Sequence, residues 1–256
     1  MKSFPHTLSH HLFALPLALV LSFASMSVFA APWFGSETVK GNGVVKQQTR
    51  TVGAFSAIEL SLPAQVELRM GSIESVTVEA DENILPLIET STERGALQLR
   101  ASKRNLRFDA RTLKIVVNAK EIRQLSIGGS GSINAAVLKA PKLELEIGGA
   151  GSMELKQLES ETVETSIGGS GNVKLAGAVR KLSIAIGGSG DVDAPQLKAD
   201  EASVSIGGSG KATLWSVNSL KASIAGSGDV HYYGDPKTSV SVVGSGGIKR
   251  LGASPK

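Results

Sequence analysis

The stretch Ser166-Ile167-Gly168-Gly169-Ser170-Gly171-Asn172-Val173 decides the fold, because it is one of seven related copies in a chain of 256 residues. The others begin at Ser126 (SIGGSGSI), Glu146 (EIGGAGSM), Ala185 (AIGGSGDV), Ser205 (SIGGSGKA), Ser223 (SIAGSGDV) and Ser241 (SVVGSGGI). The glycine that ends each core motif falls at Gly131, Gly151, Gly171, Gly190, Gly210, Gly228 and Gly246, with spacings of 20, 20, 19, 20, 18 and 18 residues. A fixed period near twenty predicts a stack of coils in which each repeat contacts only its neighbours.

Aligned on the glycines, the copies resolve into columns. Immediately before the first glycine position stand Ile127, Ile147, Ile167, Ile186, Ile206, Ile224 and Val242, all β-branched. One residue earlier stand Ser126, Glu146, Ser166, Ala185, Ser205, Ser223 and Ser241, mostly polar. Beyond the glycines an apolar column returns at Ile133, Met153, Val173, Val192, Ala212, Val230 and Ile248. Alternation with period two between turn signals means strands with one buried face. Stacked coils place equivalent residues about 4.8 Å apart. Burying each isoleucine in the resulting ladder contributes roughly 1.5–3 kcal/mol. The expected fold is all-β: a right-handed parallel β-helix with coils of about 18–20 residues, each built of about three short strands, and an N-terminal β cap. The glycines are expected to supply positive φ at the corners and the serines local hydrogen bonds. Ala150 in place of the serine, and Ala225 and Val243 in place of the first glycine, mark the motif as structural.

Outward from the repeats the chain divides into five parts. Residues 1–30 read as a secretory leader: a polar start with Lys2, an apolar run from Leu12 to Met26 interrupted by Pro16, and Val28-Phe29-Ala30 ahead of Ala31. The run is too short and too broken for a spanning helix. Residues 31–43 read as a linker, and 44–122 as a cap or a set of irregular coils. The repeat β-helix is expected over 123–248, and 249–256 form a basic tail. Within 44–122, Ile58, Leu60 and Leu62, then Val66, Leu68 and Met70, alternate like strands, whereas Ile84-Leu85-Pro86-Leu87-Ile88 suits either a helical turn or a bulged strand. A solenoid end needs covering, so 44–122 is placed to close one end. The cations and proline of the tail are expected to guard the other, where contact with a second copy through the solenoid ends is also foreseen.

Composition narrows the function. The chain has 29 glycines, 4% aromatics and no cysteine, which excludes disulfides and thiolate metal sites. A net charge of +4 gives no ground for nucleic acid or an anionic membrane as partner. The segment Gly208-Ser209-Gly210-Lys211 fails as a phosphate loop, since Ser205 stands where the first glycine belongs and Ala212 where the hydroxyl belongs. The column outside the glycines reads Ser132, Ser152, Asn172, Asp191, Lys211, Asp229 and Gly247. Asp191 and Asp229 suggest calcium-binding repeats or paired catalytic carboxylates, but Lys211 falls on the rung between them and an alternating charge ladder is the simpler account. Asp191, Asp193, Asp200 and Lys211 are the residues a polysaccharide lyase would need, and Asp229, His231 and a repeat serine those of a hydrolytic triad. No Gly-x-Ser-x-Gly elbow supports the triad. No cofactor is expected.

Taken together, the recurring Ile-Gly-Gly-Ser-Gly, Ala54-Phe55-Ser56-Ala57-Ile58, Asp81-Glu82-Asn83 and Tyr232-Tyr233-Gly234-Asp235-Pro236 resemble the head GIN domain family over roughly Phe55 to Ile248. The resemblance implies a β-helix and an adhesin-like role and carries over no catalytic residue. The expectation is an exported, non-enzymatic surface or periplasmic protein that binds a cell-surface glycan or protein. Ser132, Ser152, Asn172, Asp191, Lys211 and Asp229 form its candidate binding column, and the alternative is a polysaccharide-active enzyme.

Overall fold

Burial alternates residue by residue along the repeats and builds one filled interior. The computed structural model describes residues 37–255, so the leader expected over 1–30 lies outside the described residues. The N-terminal part contains β1 (Glu37–Lys40), β2 (Val45–Arg50), β3 (Ala57–Leu60), β4 (Gln65–Met70), β5 (Ser75–Asp81), β6 (Ile88–Glu93), β7 (Ala96–Ala101), β8 (Leu106–Asp109) and β9 (Leu113–Ala119). The repeats contain β10 (Gln124–Ile127), β11 (Ser132–Ala135), β12 (Leu138–Ile147), β13 (Ser152–Ile167), β14 (Asn172–Ile186), β15 (Asp191–Ile206), β16 (Lys211–Gly226), β17 (Asp229–Tyr233), β18 (Lys237–Gly244) and β19 (Gly247–Gly252). Leu85–Leu87 is a single 3₁₀ turn, which settles the ambiguity of that segment.

The fold is a parallel β-solenoid. Ile127, Ile147, Ile167, Ile186, Ile206 and Ile224 lie in register from rung to rung, and each is almost completely buried. Where three short strands per coil were expected, β13, β14, β15 and β16 each run 15–16 residues around the coil. They bend at register shifts between Leu155 and Leu158, Lys174 and Ala176, and Ala194 and Lys198. Parallel pairing continues on both sides of each bend, so a corner costs few backbone hydrogen bonds.

The glycine corners work differently from the expectation. Among the motif glycines only Gly226 and Gly244 have positive φ, +141° and +125°. The requirement is space. A Cβ on Gly169 would lie 2.2 Å from the carbonyl oxygen of Gly149 one rung before, and Gly188 and Gly208 stand in the same relation to their predecessors. The last glycine of the motif is equally confined, since a Cβ on Gly171 would lie 2.4 Å from Cγ2 of Ile147. The first is free: nothing lies within 4 Å of a Cβ on Gly168. That freedom explains why Ala225 and Val243 are accepted there. The turn itself is laddered, with Gly168 N–H donating to Ile147 O at 2.9 Å, Ser170 N–H to Gly149 O at 3.0 Å and Asn172 N–H to Gly151 O at 3.0 Å. Ala150 N–H makes the equivalent bond to Gly129 O, so the bond needs the backbone and not a serine hydroxyl.

Residues 44–122 combine the two architectures that the sequence left open. Strands β3 and β4 sit in parallel register above β10 and β11, and β7 and β9 sit in parallel register above β3 and β4. Antiparallel strands then close the stack: β6 on β7, β5 on β9 and β2 on β5. The β6–β7 hairpin turns on Arg94 and Gly95, both at positive φ, a turn whose twist matches its strands. The guanidinium of Arg50 donates to the carbonyls of Leu85 and Ile88 and so satisfies the 3₁₀ turn, and burial lowers its pKa. Chain order and rung order differ here, because β3 and β4 precede β7 and β9 in sequence yet lie beneath them.

Two boundaries move. The expected linker 31–43 contains β1, parallel to β8, with Val39 and Phe108 packed against the core. The loop after it is clasped by the acidic motif: Gly43 N–H donates to Asp81 Oδ1, Asn42 N–H to Asn83 Oδ1, and Asn83 Nδ2 to Lys40 O. The expected tail begins as strand, because β19 runs on to Gly252 and Arg250 is pinned by Asp235 and the Gly234 carbonyl.

Thr165 occupies an interior position between Leu145 and Ile184, and its hydroxyl has no hydrogen-bond partner. An unsatisfied buried hydroxyl costs about 1–3 kcal/mol. Thr165→Val should therefore raise the urea midpoint by the equivalent of about 1 kcal/mol without changing the slope, a result read directly from equilibrium denaturation.

Candidate functional site

Strand alternation carries every second side chain of one solenoid face to the outside. Ser132, Ser152, Asn172, Asp191, Lys211 and Asp229 follow one another rung by rung in strict register. The column runs on to Gly247, as read from the sequence, and extends beyond that reading at its other end through Gln65 and Lys114. All six predicted residues except the half-buried Ser132 are exposed.

Asp191, Lys211 and Asp229 alternate on successive rungs as the ladder expects, and the two carboxylates also bond to backbone. Asp191 Oδ1 accepts the Lys211 N–H at 3.0 Å, and Asp229 Oδ1 accepts the Gly247 N–H at 3.1 Å. Each aspartate thus caps the backbone of the following rung. None of the ion pairs among the described residues joins Lys211 to either of them. Nor do the described residues gather three or more His, Cys, Asp or Glu side chains where a metal ion could sit.

Two residues further along each strand lies a second outward column: Glu67, Asn134, Glu154, Lys174, Asp193, Thr213, His231 and Lys249. The sequence reading gave it no role as a unit, although the period-two alternation that defines the first column also defines this one. Between the columns, Asn172, Lys174, Asp191, Asp193, Lys211 and Thr213 line one shallow open depression. Asp200 lies beyond the bend, outside that depression, so the four-residue lyase set is not assembled. Asp229 and His231 share the face, but the rung neighbours of His231 are Thr213 and Lys249, which leaves no serine nucleophile beside it in its column.

At the last rungs aromatic rings stand at the bend that borders this face. Trp215 is in register with Lys198 on one side and Tyr233 on the other. The Lys198 ammonium stands 5.9 Å from the Trp215 ring centroid, within cation–π range. Equal spacing aligns Trp215 with Tyr233, 18 residues on, but not Lys198 with Trp215, because the shortening from 20 to 18 residues per coil falls between those two.

His231 is half-buried. Burial lowers its pKa; Lys211 and Lys249 lower it further, against the opposing effect of Asp229. The unfolded chain keeps the ordinary imidazole value near 6.5 and binds the proton more readily. Stability is therefore full above about pH 6.5, falls as pH drops through that value, and levels off below the folded-state pKa. His231→Gln should lose less stability than the parent between about pH 7.5 and about pH 5, as urea titrations at the two pH values will show.

Comparisons with known proteins agree with this geometry. The model for the family described as "Putative auto-transporter adhesin, head GIN domain" matches residues 54–236. A crystal structure described as a putative lipid binding protein from Parabacteroides distasonis is 26% identical, with a TM-score of 0.73, over 84% of this chain and 100% of that one. One described as a putative adhesin from Bacteroides fragilis is 23% identical, with a TM-score of 0.79, over 83% and 100%. Another putative adhesin, from Parabacteroides merdae, is 20% identical with a TM-score of 0.65, over 84% and 99%. No curated protein matches the chain. With the family model covering well over half its length, the chain belongs to the head GIN domain family of adhesin-like β-solenoids.

Proposed function

We propose that this is an exported, non-enzymatic binding protein that engages a glycan or protein of the cell surface or periplasm through its two-column face. The observation that carries this reading is the register of the outward residues. Ser132, Ser152, Asn172, Asp191, Lys211 and Asp229 present hydroxyl, amide, carboxylate and ammonium groups in line at strand spacing, about 4.8 Å. A rigid row of mixed donors and acceptors suits an extended ligand, and loses little entropy on binding because strands hold it in place. The second column and the rings of Trp215 and Tyr233 widen the row at the C-terminal end, where aromatic faces suit the C–H surface of sugars.

Support for export comes from the leader-like residues 1–30 and from family membership. Among the described residues no helix is long and apolar enough to cross a membrane. A lipid is the weaker ligand class, because the interior is occupied by side chains such as Ile127, Ile133 and Leu145, all fully buried. An enzyme is also weaker: Asp191 and Asp229 each commit an oxygen to a backbone N–H.

The test is a glycan and matrix-protein array probed with the exported chain and with the triple variant Asn172→Ala, Asp191→Ala, Lys211→Ala. The parent should bind a restricted set of spots, and the triple variant should bind them at least about tenfold more weakly, roughly 1.4 kcal/mol. Binding unaffected by the triple variant, or release of cleaved glycan, would contradict the proposal. Mass spectrometry of the exported chain should find its first residue at Ala31.

A further inference from the structure

The two ends of the solenoid are finished differently. At the N-terminal end the first parallel rung, β7, is covered by the antiparallel strand β6, and Leu97 and Leu99 beneath it are completely buried. At the C-terminal end β18 pairs with β16 along one edge, and no strand among the described residues pairs with the other. Its inward residues continue the interior columns, Val240 after Ala222 and Val242 after Ile224. Ile224 is 1% exposed, whereas Val240 and Val242 are 45% and 39% exposed, and Val243 at the corner is 71% exposed.

The expected protection of this end is confined to the neighbouring strand. Lys249 and Arg250 belong to β19, and Arg250 is already engaged by Asp235 and the Gly234 carbonyl. β18 opens on Lys237 directly after Pro236, and from Thr238 to Ser245 its edge reads TSVSVVGS, with no further charge or proline. An exposed edge whose one charge sits at its first residue, lying over an apolar interior, is an arrangement that natural sheets otherwise avoid unless it is paired.

The sequence of β18 also fits itself. Antiparallel pairing about a two-fold axis through Ser241 and normal to the sheet keeps inward residues inward. It sets Val240 opposite the partner subunit's Val242, Thr238 opposite the partner subunit's Gly244, and Lys237 opposite the partner subunit's Ser245. Within the β18 pair no like charges stand opposite each other, and the two interiors join beneath it. The covering element is an antiparallel strand, the same solution the chain uses at its other end.

We propose that two copies join end to end through β18, each closing the solenoid of the other. The dimer aligns two binding faces along one rod, so a repetitive ligand engages both at raised effective concentration. Dimerisation itself does not depend on what that face binds.

The chain has no cysteine, so a single introduced thiol reports geometry without interference. Residues opposite each other across the two-fold lie about 4.5–5.5 Å apart, inside the disulfide range. Chain purified from the compartment it reaches should run by light scattering at double the mass of one copy. Under mild oxidation Ser241→Cys should cross-link to a dimer, while Ser223→Cys, one rung inward, should stay uncross-linked. Val242→Lys should give a monomer with unchanged circular dichroism. A parent that is monomeric across the accessible concentration range would overturn the proposal. So would equal cross-linking of the two cysteine variants, or a Val242→Lys variant that remains dimeric.

Discussion

The structure depends on how closely one coil can approach the next at its corner. Side-chain ladders hold the flat parts of the rungs about 4.8 Å apart, and the corner must match that spacing or the stack splays. In the Gly-Gly-Ser-Gly turn the match is made by backbone alone. Gly149, Gly169, Gly188 and Gly208 lie so near the preceding carbonyl that a Cβ would come within 2.2–2.3 Å of it. The same approach lets Ser170 and Ser189 N–H groups reach the glycine carbonyls of the rung before. Corner and core are one constraint, because the last glycine of each turn also gives room to Cγ2 of the buried isoleucine one rung earlier.

This packing leaves the outward positions free to vary. A residue such as Asn172 or Lys211 is fixed in direction by strand register but touches nothing that dictates its identity. The solenoid therefore separates its tasks: the glycines and isoleucines keep the rungs stacked, and the two outer columns carry the proposed binding face. The aspartates show the boundary between these roles, since Asp191 and Asp229 are exposed yet spend one oxygen each on the backbone of the next rung. The proposed binding face and the rung geometry meet at those two positions, and Asp191 lines the depression between the columns.

Much of this was legible in the sequence, for a physical reason. A parallel in-register stack maps sequence period onto space, so residues in one aligned column become neighbours, as Ser132 through Asp229 did. The mapping fails where period fails. In 44–122 no repeat signals that β7 and β9 lie outside β3 and β4, and the antiparallel pairing of β5 with β9 and β2 rests on contacts between distant segments. It also failed between Lys198 and Trp215, where the coil shortens and equal spacing no longer means equal height. The role of the glycines was misassigned for a different reason. Positive φ and close approach both select glycine, and only coordinates distinguish them. Substitution at the first glycine position, by Ala225 and Val243, was the visible trace of the difference.

The account's central claim, that the second glycine of the motif is required by proximity and the first is not, is tested most directly by comparing Gly169→Ala with Gly168→Ala in urea denaturation. Neither glycine has positive φ, so both alanines are equal in backbone conformation and differ only in what their methyl meets. The account predicts that Gly169→Ala loses about 3 kcal/mol as rungs are forced apart. It predicts that Gly168→Ala is unchanged or more stable by up to about 1 kcal/mol. Equal losses at the two positions, or an alanine tolerated at 169, would contradict it.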